Sequence, residues 1–108
     1  MRTATSTALA TSLLAIAGAS ELYHLTVFSS NVGAQYIQVH DSATLPADTA
    51  VPAMVFAIPA SGLVQIDLGT YGRYFKNGIV VCNSSTAATK TIGAADCWFD
   101  AQLLKMAQ

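Results

Sequence analysis

The chain has 108 residues, of which 53% are hydrophobic and only 10% are charged. This length fits a single domain, and because folded domains usually carry about 25% charged residues, its surface must be largely neutral or covered by neighbouring chains. The formal net charge is −1, and five Lys and Arg residues in total exclude nucleic-acid or membrane-surface binding through clustered basic side chains.

The first twenty residues form a low-complexity segment rich in Ala and Leu. The run ending at residues 17–19 (Ala-Gly-Ala) loosely resembles a secretory signal peptide, but Thr11 and Ser12 interrupt its apolar part. The run is also too short for a transmembrane helix. We therefore predict an uncleaved apolar arm over residues 1–20, extended or partly helical, ahead of one β domain over residues 21–108. The arm residues expected to contact another chain are Leu9, Leu13, Leu14 and Ile16.

Six segments after the arm show the short apolar or alternating patterns of β-strands. They are residues 22–29, 35–40, 53–58, 62–68, 79–82 and 96–104. Alternation assigns segment 22–29 two faces, one with Tyr23, Leu25 and Val27 and the other with His24, Thr26 and Phe28. Pro52 and Pro59 flank segment 53–58, as suits strand ends rather than a central position. With no sustained helical periodicity, the sequence predicts an all-β fold, an antiparallel β-sandwich or a jelly-roll-like barrel.

The two cysteines, Cys82 and Cys97, fall in different predicted strands. Buried thiols that act as small hydrophobic side chains are the favoured interpretation. A disulfide between them stays open, because it depends on whether the two strands are neighbours.

Patterns for catalysis or metal binding are weak. His40 and Asp41 are adjacent, so an extended chain points them to opposite faces. Two His and two Cys match the ligand number of a zinc site but not its spacing, and no Gly-x-Ser-x-Gly elbow occurs. Residues 83–85 (Asn-Ser-Ser) match the N-glycosylation pattern, although turn chemistry explains them equally well. We expect a protein that is not an enzyme and binds no metal or other cofactor.

The loop over residues 71–78 is the best candidate for protein contacts, because aromatic residues and Arg anchor many interfaces. Its candidate residues are Tyr71, Arg73, Tyr74 and Phe75. Alternatively, Tyr74 and Phe75 plug one end of the barrel. Trp98 lies on the polar face of its predicted strand, where it could be a sugar-stacking platform, an interface anchor or a rim residue of the core.

The stretch over residues 74–91 reads Tyr-Phe-Lys-Asn-Gly-Ile-Val-Val-Cys-Asn-Ser-Ser-Thr-Ala-Ala-Thr-Lys-Thr. It resembles a pattern in small virion proteins of tailed bacteriophages, where an aromatic-x-Asn-Gly-Ile/Leu strand precedes a Ser/Thr-rich connection. The resemblance implies a β-sandwich structural protein of the particle, such as a capsid decoration (cement) protein. Such a protein would form homo-oligomers, often trimers, bind the major capsid protein, and lie on the capsid surface after assembly in the host cytoplasm. A tail, adaptor or fibre component, and a secreted carbohydrate- or host-binding module, are the alternatives.

Overall fold

The computed structural model describes residues 2–106, which form nine β-strands and no helix. The strands are β1 (Arg2–Thr5), β2 (Ser12–Ala17), β3 (Ser20–Ser29), β4 (Gln35–Asp41), β5 (Met54–Ile58), β6 (Leu63–Asp67), β7 (Arg73–Phe75), β8 (Gly78–Ser84) and β9 (Cys97–Lys105). No helix in this part of the chain is long and apolar enough to cross a membrane. Three residues in the predicted ranges 1–20 and 21–108 lie outside the described residues: Met1, Ala107 and Gln108.

The strands form two antiparallel sheets that pack face to face as a β-sandwich. Sheet A has the order β1-β9-β3-β6, with β7 also paired to β3, and sheet B has the order β2-β8-β4-β5. β6 pairs with residues 24–28 of β3 and β7 with residues 20–22, so these two short strands follow one another along the same edge. The predicted all-β sandwich is confirmed.

The hydrophobic core lies between the two sheets and takes alternate residues from the long strands, as a period of two requires. Its buried members are Ile16, Leu22, Leu25, Val27, Ile37, Val39, Ile58, Phe75, Ile79, Val81, Cys97, Phe99, Ala101 and Leu103. Ile37 and Val39 of β4 point inward, as do Cys97, Phe99, Ala101 and Leu103 of β9. β5, flanked by Pro52 and Pro59, is an edge strand of sheet B.

The first twenty residues do not form a separate arm, and that prediction is wrong for residues 2–20. β1 pairs with β9 at the edge of sheet A, and β2 pairs with β8 at the edge of sheet B. The alternation of β2 is broken by a register shift between Leu14 and Ile16, so both Ala15 and Ile16 pack toward the core. This bulge removes the period-2 signal by which a strand is recognised in a sequence.

A second register shift, between Leu22 and His24 in β3, corrects the predicted faces of that strand. Leu22 points inward with Leu25 and Val27, whereas Tyr23 lies on the outer surface. The Tyr23 hydroxyl donates a hydrogen bond to Glu21 Oε1 at 2.9 Å.

The β8 strand extends further than predicted, because Asn83 and Ser84 continue it and do not form a turn. The Asn83 side chain is fully buried, and its Nδ2 donates to the carbonyl of Ala94 at 2.6 Å. Asn83 is therefore a structural residue in this fold, and its side-chain amide is not accessible for glycosylation.

The two cysteines are free and buried. Cys97 belongs to the core, whereas Cys82 alternates with the core residue Val81 and points to the other face of sheet B. They therefore do not form the disulfide that the sequence left open. Burial raises the pKa of Cys82 to about 11 and that of Cys97 to about 12, so both remain protonated thiols at neutral pH.

Two loops, residues 42–53 and 85–96, cover the outer face of the central strands of sheet B, β4 and β8. Gln38 Nε2 donates to the carbonyls of Thr86, Ala87 and Thr89 at 2.9, 3.1 and 3.0 Å, respectively. Its Oε1 lies 3.0 Å from the Nε2 of His40, which is also buried. Gln38 and His40 point away from the core, and loops separate both from solvent.

An ion pair between a buried lysine and a half-exposed aspartate connects these two loops. Lys90 is only 3% exposed, and its Nζ lies 2.7 Å from Asp48 Oδ1. The backbone N–H of Thr49 donates to the Lys90 carbonyl, and that of Lys90 donates to the Ala50 carbonyl, both at 2.8 Å. Burial, and then the nearby Lys90 charge, lower the pKa of His40. With the two central strands of sheet B covered, the outer face of sheet A is the more open face of the sandwich, although Leu14 and Val55 are exposed on the edge strands of sheet B.

Candidate binding face

Three large hydrophobic side chains form a continuous row across the outer face of sheet A. Trp98 of β9 is paired with Phe28 of β3, and Phe28 is paired with Leu63 of β6. Directly paired residues of antiparallel strands point to the same face, so the three side chains are neighbours. Their exposed fractions are 39%, 41% and 55%, respectively. We call Trp98, Phe28 and Leu63 the apolar row.

The apolar row lies at the end of sheet A that carries the loop between β3 and β4. This loop presents Val32, which is 95% exposed. The Asn31 carbonyl accepts a hydrogen bond from the Ser61 N–H at 2.9 Å, which anchors the loop beside the start of β6. A fixed loop thus adds one more exposed apolar side chain near the row.

Polar residues border the apolar row on this face. The next row along the strands contains Asp100, Thr26 and Gln65. Thr5 of the edge strand donates its hydroxyl to Asp100 Oδ1 at 2.9 Å. An apolar strip bordered by polar side chains is the arrangement found in protein interfaces, where an apolar centre is surrounded by a polar rim.

A buried carboxylate, Asp96, fixes the end of sheet A next to the row. It accepts hydrogen bonds from Asn31 Nδ2 at 2.6 Å, Gln35 Nε2 at 3.1 Å, Asn83 Nδ2 at 3.0 Å and the Cys97 thiol at 3.2 Å. Burial alone would raise the pKa of Asp96, but these four donors outweigh it and hold the pKa below its usual value. The ionised carboxylate therefore connects the β3–β4 loop, β8 and β9.

The pKa of Asp96 is lower in the folded state than in the unfolded state, where it is about 3.8. The ionised carboxylate therefore contributes its full stabilisation above about pH 3.8, and this stabilisation is lost as the pH falls through the folded-state pKa. We expect Asp96→Asn to lower the free energy of unfolding by about 3 kcal/mol at pH 7, since buried donors lose an acceptor. Urea unfolding at pH 7 and pH 3 measures both effects. The difference between Asp96→Asn and wild type should shrink at pH 3, whereas Asp100→Asn, a change on the open face, should cost less than about 1 kcal/mol.

The structure places the predicted site residues in different parts of the molecule. Ile16 and Phe75 belong to the core, and Leu13 packs partly against it, so the prediction that they contact another chain is corrected for the two buried side chains. Leu9 and Leu14 are exposed, but on the β1–β2 loop and the edge strand β2.

The predicted loop over residues 71–78 contains strand β7 and lies at the opposite end of β3 from the apolar row. Tyr71 and Tyr74 are exposed there. Arg73 lies with its Cζ 5.5 Å from the centroid of the Phe75 ring, so the arginine covers the end of the core. The alternative that residues of this loop close one end of the sandwich holds for Phe75. Of the predicted residues, Trp98 is the one that belongs to the apolar row.

Phe28 and Leu63 were not among the predicted site residues. The available signal was that Phe28 falls on the outer face of an alternating strand, where an aromatic residue is unexpected. What the sequence lacked was the strand order, without which Phe28, Leu63 and Trp98 are three unrelated residues. Within residues 2–106 the structure shows no group of three or more His, Cys, Asp or Glu side chains that could hold a metal ion.

No protein-family model matches the chain, and no curated protein matches it. Among solved structures, a crystal structure of PirA is similar at 10% sequence identity, with 93% of each chain covered and a TM-score of 0.40. The Tobacco streak virus coat protein is similar at 18% identity over 86% of this chain and 65% of that chain, with a TM-score of 0.32. These distant likenesses carry no functional argument.

Proposed function

We propose that this protein is a non-enzymatic structural component of a tailed-phage particle. In this role it decorates the capsid, associates with itself as a trimer and binds the major capsid protein. The observation that carries a binding role is the apolar row, exposed on the outer face of sheet A, while loops of the chain cover the central strands of sheet B. The phage assignment is supported by the resemblance of residues 74–91 alone.

The apolar row suits a contact with a protein surface of low charge. Large side chains at the centre of a contact supply most of its binding energy, and the polar residues around them exclude water. Particle components are present in many copies, so modest contacts per copy add up to strong attachment through avidity. The proposal thus depends on the open face of sheet A and no longer on an N-terminal arm.

The stretch that resembles virion proteins has structural tasks in this fold. Phe75 and Ile79 are core residues, and Asn83 bonds to Asp96. Lys90 is buried against Asp48. The resemblance therefore supports a shared way of building the sandwich, and the surface that meets a partner has to be tested separately.

We expect the wild-type chain to self-associate and Phe28→Thr to weaken the association at least tenfold, because the middle of the apolar row is lost. Sedimentation equilibrium over a range of concentrations measures the association constant. Leu104→Thr is the matched control, since Leu104 has the same exposed fraction as Trp98, lies on the same strand and face, and is outside the row. A wild-type chain that stays monomeric, or equal constants for Phe28→Thr and wild type, would contradict the proposed role of the row.

The place in the particle is tested by the number of copies per virion, measured by quantitative mass spectrometry of purified particles. A decoration protein is present in a number close to that of the capsid lattice sites. A tail, adaptor or fibre component is present in far fewer copies. A low copy number would therefore assign the protein to the tail and contradict a role as a capsid decoration protein.

A second function, carbohydrate binding, is favoured by one observation. Trp98 and Phe28 are adjacent on the outer face of sheet A, and Asp100 and Gln65 lie in the next row. Aromatic rings can stack on a sugar ring, and neighbouring polar side chains can form hydrogen bonds with its hydroxyl groups. Titration with soluble oligosaccharides, followed by Trp98 fluorescence, tests this function. Saturable quenching that is lost in Asp100→Ala would favour it over a structural role.

A further inference from the structure

We propose that a cleft at the other end of the sandwich binds the carboxylate groups of an acidic protein segment. The cleft lies where β9 ends and β7 turns into β8, and its volume is about 500 Å³. Its lining residues are Gly18, Ala19, Tyr74, Lys76, Asn77 and Lys105. It is separate from the apolar row and does not depend on the function proposed above.

The cleft concentrates positive charge in a chain that has little of it. Two of the five basic residues, Lys76 and Lys105, line it, and both are exposed. The ion pairs among residues 2–106 involve Lys90 with Asp48 and His24 with an aspartate, so neither cleft lysine has a carboxylate within 4 Å in the described chain.

The acidic residues closest in strand register are bound to other groups. Asp41 accepts the backbone N–H groups of Lys76 and Asn77 at 3.2 and 2.8 Å. Glu21 accepts the hydroxyl of Tyr23 at 2.9 Å. These carboxylates form part of the fold beside the cleft and leave the two ammonium groups available to a ligand.

Backbone hydrogen bonds hold the floor of the cleft in place. The N–H of Gly18 donates to the Asn77 carbonyl at 2.7 Å, and the N–H of Met106 donates to the Ala19 carbonyl at 2.9 Å. Lys105 lies over this floor, since a Cβ placed on Gly18 would be 3.6 Å from its Cε and 3.9 Å from its Nζ. The lysine side chain is therefore within van der Waals distance of the turn between β2 and β3.

The chemistry of the lining favours carboxylates on a peptide. Lysines act as flexible point charges and lack the planar guanidinium group with which Arg forms bidentate hydrogen bonds to phosphate groups. The cleft is much larger than one inorganic anion, and the half-exposed ring of Tyr74 offers apolar surface to the methylene groups of an Asp or Glu side chain. Two lysines are too few for the many phosphate contacts on which nucleic-acid binding depends.

The test is an NMR titration of the full chain, labelled with ¹⁵N, with hexaglutamate at low ionic strength. We expect saturable amide shifts centred on residues 18–20, 74–77 and 105, and binding weakened at least about threefold when the salt concentration is raised roughly tenfold. Hexaglutamine is the neutral control and should not bind. Equal binding of both peptides would overturn the proposal, and so would shifts spread over other parts of the chain.

Variants distinguish the cleft from general attraction to positive charge. We expect Lys76→Gln and Lys105→Gln each to weaken hexaglutamate binding about threefold, and the double variant to abolish it. Arg2→Gln is the matched control, because it removes an exposed positive charge from β1, outside the cleft lining, and should change binding less than about twofold. A loss in Arg2→Gln as large as in the lysine variants would overturn the proposal. So would tighter binding of inorganic phosphate or of an RNA oligonucleotide than of hexaglutamate.

Discussion

Removal of residues 1–19 is expected to leave a chain that does not fold. The deletion strips β1 from sheet A and β2 from sheet B, and it exposes β9 and β8 as new edges. β8 is buried along its whole length, so its apolar face would be opened to water. The loss is comparable with the whole stability of a small domain, about 5–15 kcal/mol.

Far-ultraviolet circular dichroism and a thermal melt measure the effect of this deletion. A shorter deletion of residues 1–5 is the control, because it removes β1 and keeps Ile16 in the core, and we expect it to lower the melting temperature without abolishing cooperative unfolding. If the chain without residues 1–19 unfolded cooperatively near the wild-type temperature, these strands would be accessory. The same experiment bears on the signal-peptide interpretation, since cleavage after Ala19 would remove the same two strands.

Gly78→Ala is expected to lower the free energy of unfolding by about 3 kcal/mol or more. Gly78 has a φ of +152°, and a Cβ there would lie 2.5 Å from the carbonyl oxygen of Ser42 and 2.7 Å from that of Ile16. Both contacts are with backbone atoms, so relief requires movement of β2 or of the loop that covers sheet B. Equilibrium unfolding in urea measures the loss.

Gly69→Ala is the matched control for that substitution. Gly69 also has a positive φ, +81°, but no atom lies within 4 Å of the position of an added Cβ. Only backbone strain is then expected, at about 1–2 kcal/mol. Equal losses for the two variants would mean that strain, and not the crowding at Gly78, sets the requirement for glycine.

The strands with one apolar and one polar face were the part of the fold that could be predicted. In β6 and β9, Val64 and Ile66, and Phe99 and Ala101, alternate with outward residues, so the faces follow from the period of two. β2 could not be recognised, since its bulge places Ala15 and Ile16 on the same side. The same limit applies to Tyr23, which the bulge in β3 moves to the outer surface.

Neither candidate binding site could be predicted, for a different reason. The apolar row joins residues 28, 63 and 98, and the cleft joins residues 18, 76 and 105, which meet only through strand pairing across the sheets. Sequence patterns are local and give no strand order. The burial of Lys90 could not be predicted from the sequence either, because a single lysine in a Ser/Thr-rich loop is normally exposed to solvent.

The two edges of sheet B bear on how this protein behaves at high concentration. β5 carries no charged residue. In many proteins an uncharged edge strand can pair with strands of other molecules. Here Pro52 and Pro59 limit such pairing to a few residues. At the opposite edge, the bulge of β2 makes the strand irregular, whereas a growing fibril requires a regular edge strand for pairing. Concentrated solutions should therefore remain free of amyloid-like polymers despite the scarcity of charge.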